Sequence, residues 1–197
     1  MIALVVIVLI VASFGTIYYL GNRPRSESNS NQTASESNIV LLKTTMGDIT
    51  IQLYEDMPIT TGNFKNLVKT GVYNETIFHR VVANFVIQGG DASSKGINVA
   101  TIQDELPNKH SNVRGSVAMA KTSEPNSATS QFYINLNDTN SARLDSNYSV
   151  FWTVIAGMDV VDAIGQAETV INEETGEKSK PVQAITIITA EFVKWNF

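Results

Sequence analysis

Phe78-His79-Arg80-Val81-Val82-Ala83-Asn84-Phe85-Val86-Ile87-Gln88-Gly89-Gly90-Asp91 decides how the rest of the chain is read. It has the form of two short strands joined by a tight bend at Ala83-Asn84 and closed by a glycine pair. Side chains alternate between the faces of a strand. That alternation groups Phe78, Arg80 and Val82 on one face of the first strand, and Val86 and Gln88 on one face of the second. Phe85 falls at the bend, where parity does not set its direction. A guanidinium, a carboxamide and apolar side chains then share one patch of sheet, the makeup of a small-ligand pocket. Residue types alone fit equally well a barrel hairpin whose Arg80 pairs with a surface carboxylate, since arginine is mostly exposed.

The pattern around this hairpin is strand-rich. Residues 39–45 are rich in β-formers, Met46-Gly47-Asp48 supplies a turn, and Ile49, Ile51 and Leu53 alternate with Thr50, Gln52 and Tyr54. Pro58 opens a helix with Phe64, Leu67 and Val68 at helical spacing, stopped at Thr70-Gly71. A polar, poorly periodic loop covers 92–114. Strands follow over 115–120, 131–136 and 150–155. A second helix over 158–167 carries Val161 and Ile164 inward. A charged, hairpin-like excursion over 172–180 precedes a last strand over 184–193. Many strands with two helices predict a mostly β domain, a closed antiparallel barrel capped by those helices.

The chain has 197 residues, a formal net charge of -5 and a pI near 5.0, with 43% apolar and 17% charged residues. This is room for one globular domain plus extra segments. The acidic balance argues against a general nucleic-acid binder. The absence of cysteine excludes disulfides, thiolate nucleophiles and thiolate metal sites. His79 and His110 are the only imidazoles, too far apart in sequence for a paired-histidine metal motif.

Ahead of the domain, residues 2–20 form an apolar run with no charged side chain before Arg23. About 20 helical residues span roughly 30 Å, the hydrocarbon thickness of a bilayer. Tyr18 and Tyr19 sit where aromatic side chains favour the interface. Residues 1–20 therefore read as a transmembrane anchor or a signal segment; a cleaved signal wants a basic start, a shorter apolar region and a small-residue site after it, which favours the uncleaved anchor. Arg23 and Arg25 follow the run, which by the positive-inside rule puts the domain in the cytoplasm. The export role usual for such a segment, and four Asn-x-Ser/Thr triplets at Asn31, Asn74, Asn137 and Asn147, favour an extracytoplasmic domain. Residues 21–38 are a polar, flexible linker, and 39–197 are the folded domain.

Three groups of residues carry a family resemblance. They are the hairpin quoted above; Met119-Ala120-Lys121 followed by Pro125-Asn126 and Ser130-Gln131-Phe132-Tyr133-Ile134; and Leu144-Asp145 followed by Val150-Phe151. In that order and spacing the domain resembles the cyclophilin peptidyl-prolyl cis-trans isomerases, in their compact prokaryotic-like form, over nearly all of 39–197. The resemblance implies an eight-stranded barrel capped by two helices and rotamase activity without metal or cofactor. Proline-containing polypeptides are the implied substrates and a monomer the implied state. It also implies the roles of single residues. Arg80 and Gln88 are catalytic, the first stabilising a twisted amide and the second orienting it. Phe85, Val86, Tyr133 and Leu144 line a proline pocket, Gln131 and Tyr148 complete its rim, and Ala120 and Lys121 offer backbone groups to the flanking peptide. His79 reads as structural, because the chemistry needs no general base. The alternative is a membrane-tethered module that binds proline segments without turning them over.

The chain also departs from the family pattern. Val86 stands where methionine is common, and Tyr133 replaces a phenylalanine with a hydroxyl that needs a partner. Tyr148 replaces a histidine of many eukaryotic members. Arg143 occupies the position of the tryptophan associated with tight cyclosporin binding, so weak cyclosporin sensitivity is expected. Ala83-Asn84 replaces Pro-Gly, Trp152 stands where glycine is usual, and Glu124 is a one-residue insertion.

Overall fold

A computed structural model of the protein describes residues 37–194. The expected anchor over 2–20, and all but the last two residues of the expected linker, lie outside them. Among the described residues no helix is long and apolar enough to cross a membrane.

The elements run β1 (Ile39–Thr44), β2 (Gly47–Leu53), α1 (Pro58–Lys69), β3 (Thr76–Val82), β4 (Val86–Gly89), β5 (Ser116–Met119) and β6 (Phe132–Asn135). They continue with α2 (Ser141–Leu144), β7 (Val150–Ala156), α3 (Met158–Gly165), β8 (Thr169–Ile171), β9 (Lys178–Pro181) and β10 (Thr186–Phe192). Eight strands close a barrel in the order β1-β10-β3-β4-β6-β5-β7-β2, every pairing antiparallel. The remaining two, β8 and β9, form a separate ribbon, the hairpin-like excursion of the sequence. The short helix α2 was not anticipated; four residues are too few to show a period.

Burial of apolar faces fills the barrel. Ile49, Ile51, Phe78, Val81, Ile87, Val117, Phe132 and Ile134 point inward and are closed from solvent. Helix α1 adds Phe64, Leu67 and Val68, and α3 adds Val161 and Ile164. The unusual Trp152 is wholly buried here, its ring centroid 4.3 Å from Phe64 and 5.1 Å from Phe132. Pro58 takes the first turn of α1, where a missing N–H costs nothing. The next N–H groups, of Ile59 and Thr60, donate to the Glu105 carboxylate at 3.0 and 2.7 Å. That carboxylate at a helix N-terminus pins the long 92–114 loop to α1.

The central hairpin departs from simple alternation. Its pairing runs Phe78↔Gly89, then Arg80↔Gln88 and Val82↔Val86, so His79 is an extra residue at a β-bulge. Phe78 therefore points into the barrel while Arg80 and Val82 point out. The expectation that all three share a face fails, because one unpaired residue reverses parity. At the bend, the Phe85 N–H donates to the Val82 carbonyl at 3.0 Å, and Asn84 takes a φ of 58°, which asparagine tolerates better than other side chains. The glycine pair is a matter of space: a Cβ on Gly90 would lie 2.8 Å from the Phe132 ring, and one on Gly89 2.8 Å from the Ile77 carbonyl oxygen.

Candidate active site

The site lies on the outside of the barrel wall. Residues of β4, β5, β6 and β7 alternate with the core residues just named, and their outward side chains form a second, small apolar cluster. Val86, Ala118, Tyr133, Leu144 and Val150 make it, with Phe85, Ala120 and Tyr148 against its edge. Register explains the gathering, since Tyr133 pairs with both Gln88 and Ala118, and Ala118 pairs with Val150. Leu144 comes from α2 and closes one side.

A hollow of about 150 Å³ opens over this cluster. Phe85, Val86, Tyr133 and Leu144 supply its apolar lining, Arg80 and Gln88 one polar wall, and Ala120, Lys121 and Tyr148 the rest. Gln131 is not on the lining but stands directly behind it. The structure thus brings together every residue singled out from the sequence. The direction of Phe85, open from parity, is now set: its ring faces the hollow, with the Arg80 and Arg143 guanidinium carbons 5.7 and 5.1 Å from its centroid.

A chain of polar side chains borders the hollow. Gln88 Nε2 donates to Gln131 Oε1 at 2.9 Å, and Arg80 Nη1 donates to Gln88 Oε1 at 3.3 Å. Arg80 then donates from Nε to Glu177 Oε2 at 2.6 Å and from Nη2 to Glu177 Oε1 at 2.9 Å. Both of the sequence's alternatives for Arg80 are therefore present at once, a place in the hollow and a carboxylate partner. The hydrogen bonds from Arg80 hold the Glu177 carboxyl below the usual carboxylate range. Glu177 itself was missed; it sits in a charged turn 97 residues from Arg80, and nothing local marks it.

The floor is held by a second polar network. The Tyr133 hydroxyl donates to Asn112 Oδ1 at 2.8 Å, which gives the extra hydroxyl its partner. Asn112 is fully buried, and its N and Nδ2 donate to Asp145 Oδ1 at 2.6 and 2.9 Å. Ser111 Oγ donates to Asp145 Oδ2 at 2.6 Å. Asn135 Nδ2 reaches Asn112 Oδ1 at 3.2 Å, and Asn140 Nδ2 donates to Asn135 Oδ1 at 2.9 Å and to the Phe85 carbonyl at 2.7 Å. Burial pushes the Tyr133 hydroxyl far above its ordinary value, so it stays protonated and a donor. Burial raises Asp145 too, but the bonds from Ser111 and Asn112 outweigh it and leave the carboxyl below its ordinary value.

Three rim groups are already engaged. Lys121 Nζ donates to Asp104 Oδ2 at 2.8 Å. Tyr148 meets Tyr133 edge-on, with centroids 5.7 Å apart. The Ala120 N–H donates to the Gln131 carbonyl at 2.9 Å, which leaves its carbonyl as the backbone group that can meet a flanking peptide. Burial pushes the His79 imidazole below its ordinary value, and its buried Nδ1 has no hydrogen-bond partner. Among the described residues no group of three or more His, Asp or Glu is placed to hold a metal ion.

Comparison with known proteins agrees over the same segment. Residues 39–192 match the family model described as cyclophilin type peptidyl-prolyl cis-trans isomerase/CLD. A peptidyl-prolyl cis-trans isomerase of Acinetobacter baylyi is 43% identical over 170 residues, covering 83% of this chain and 89% of the relative. Peptidyl-prolyl cis-trans isomerase A of Dickeya dadantii is 40% identical over 169 residues, 82% of this chain and 87% of the relative. Among solved structures, a Cryptosporidium parvum cyclophilin type isomerase, crystallised in the presence of the dipeptide Ala-Pro, superimposes with a TM-score of 0.70 at 27% identity. The match covers 79% of this chain and 99% of that one.

Proposed function

From the premise that the chain belongs to the cyclophilin-type peptidyl-prolyl cis-trans isomerase family, and is an isomerase of Xaa-Pro peptide bonds, we propose that Arg80 is the group that stabilises the twisted amide. Resonance gives a peptide bond a rotational barrier of about 18–20 kcal/mol. Before proline the cis and trans forms are close in energy but exchange over roughly tens to hundreds of seconds. No covalent bond is broken, so the catalyst has only to hold the twisted amide more tightly than either planar form. Twisting localises a lone pair on the proline nitrogen. Arginine, permanently charged and rich in donors, can give that nitrogen a hydrogen bond.

The observation that carries this reading is the position of Arg80 on the wall of a hollow lined by Phe85, Val86, Tyr133 and Leu144. The apolar lining takes the proline ring, and the guanidinium meets the amide beside it. Nε, one Nη2 hydrogen and one Nη1 hydrogen have partners in Glu177 and Gln88. The other hydrogens on the two terminal nitrogens are those offered to the substrate. Gln88, itself held by Gln131, orients the group. A related isomerase crystallised with Ala-Pro supports proline-containing peptides as ligands. The Arg143 guanidinium over Phe85, in place of an indole, supports weak cyclosporin inhibition. A monomer remains the expected state.

The assignment is tested with the full-length protein in detergent and a proline tetrapeptide. Arg80→Ala should lower kcat/KM by about 10²–10³, the scale of losing one preorganised donor. An unchanged rate removes Arg80 from the mechanism, and tight peptide binding without faster exchange in the wild type returns the binding-module reading. Residues 2–20 serve, in the same proposal, as an uncleaved anchor, with 21–38 as the tether of an extracytoplasmic domain. Protease added to intact cells should then cut the domain; full protection reverses the orientation.

A further inference from the structure

We propose that Glu177, in the turn that joins β8 to β9, is the positioning residue of the isomerase site: its carboxylate grips one side of the Arg80 guanidinium and so determines which N–H groups face the substrate amide. The inference rests on the assignment of Arg80 to that amide. Arg80 projects from the barrel's outer wall just after a bulge, on a long, flexible side chain. Two groups hold its head. Gln88 does so through one contact of 3.3 Å, the long end of hydrogen-bond range. Glu177 does so through two parallel, charge-assisted bonds of 2.6 and 2.9 Å, the geometry that fixes a planar fork. The stronger and more directional hold is therefore the carboxylate.

The turn that carries Glu177 is built to keep it in place. The Asn172 N–H donates to the Glu177 carbonyl at 2.8 Å, and the Gly176 N–H to the Asn172 carbonyl at 2.8 Å. Asn172 Oδ1 accepts from the Glu174 N–H at 2.9 Å, and the Glu177 N–H donates to Thr175 Oγ1 at 3.3 Å. Gly176 takes a φ of 71°, which closes the turn without strain. The side chains of Arg80 and Glu177 are 29% and 38% exposed, a partly covered pair.

A carboxylate beside a catalytic cation also mutes its charge. That effect opposes the benefit of orientation, and orientation prevails here. A hydrogen bond to a nitrogen lone pair is lost when the fork turns away, whereas the Coulomb penalty is softened by solvent at a partly exposed site. Glu177 is not on the lining of the hollow, so it acts on the transition state through Arg80 and leaves ground-state binding of proline to the apolar walls.

The test compares Glu177→Gln, which keeps size and loses the charge, in the wild type and in Arg80→Ala, using the full-length protein. In the wild type, kcat should fall about fivefold with KM within twofold. In Arg80→Ala the same substitution should change nothing further, since the group it positions is gone. An unchanged kcat in Glu177→Gln, or an equal loss in both backgrounds, overturns the inference, the second by showing that the ribbon merely supports the fold. Full activity of Arg80→Ala would instead fell the underlying assignment, so the two failures are distinguishable. If Glu177→Gln does not fold, the wild type still decides. Its Arg80 Nε–H resonance, identified by its loss in Arg80→Lys, should exchange slowly with solvent, and fast exchange overturns the inference.

Discussion

The inner and outer faces of the same barrel strands obey different rules. Along β6, Phe132 and Ile134 point inward among rings and branched chains, while Tyr133 and Asn135, between and after them, belong to hydrogen-bond networks. Inside, order comes from filled volume, and one apolar side chain can stand in for another of like size. Outside, order comes from named partners, because each buried polar atom must be paired or its desolvation is a net cost. The site therefore depends on a few specific atoms that the core does not need, and the core on a bulk the site does not provide.

Substitutions on the two faces should separate these rules. The largest stability effect is expected inside. Trp152→Ala removes a wholly buried indole whose Nε1 has no hydrogen-bond partner, so only packing is lost. It should cost about 3–5 kcal/mol and lower the melting temperature by on the order of 10 °C, read by calorimetry. An intermediate effect is expected at Asp145→Asn, which exchanges a charged acceptor of three hydrogen bonds for an amide. The cost should be about 2–3 kcal/mol at neutral pH. The folded Asp145 carboxyl lies below its ordinary value, so its contribution is present above the unfolded value near about 3.9. It is lost as pH falls through the folded value, and the gap between wild type and variant in denaturant titrations should close in that acid range. A gap of constant size would remove the carboxylate from the network. The smallest effect is expected at Tyr133→Phe. It keeps the ring in the hollow and leaves Asn112 Oδ1 with Asn135 Nδ2 and no hydroxyl. About 1 kcal/mol of stability should go, with kcat/KM within threefold by the tetrapeptide assay. A loss of kcat/KM as large as that of Arg80→Ala would mean that the hydroxyl is itself part of the chemistry.

What could be read from residues alone divides along the same line. Alternation and helical spacing suffice for the barrel strands and for α1 and α3, because burial imposes a period on the sequence. The bulge at His79 leaves no such trace, since a single extra residue looks like any other until its partner strand is known. Asn112 lies in a polar, aperiodic loop, and its complete burial follows from contacts with Tyr133 and Asp145 across distant parts of the chain. Glu177 carries the same lesson: the turn is legible as a charged excursion, but which charge meets Arg80 is decided by how β9 lies against β3. The residues of the hollow, with Gln88 and Gln131 beside Arg80, were legible through family resemblance, whereas Glu177 and Asn112, which hold Arg80 and Tyr133, were not.

Closure of the barrel bears on what surrounds the protein. An isomerase of Xaa-Pro bonds meets extended polypeptide as its substrate, and an unpaired strand edge is a template on which such a polypeptide can add and aggregate. With β1 paired to both β2 and β10, the eight-stranded ring offers no such template. The β8–β9 ribbon does have edges, but its strands are only three and four residues long. A client chain can thus be gripped at one proline and released, with little opportunity to be stitched onto the enzyme along its backbone.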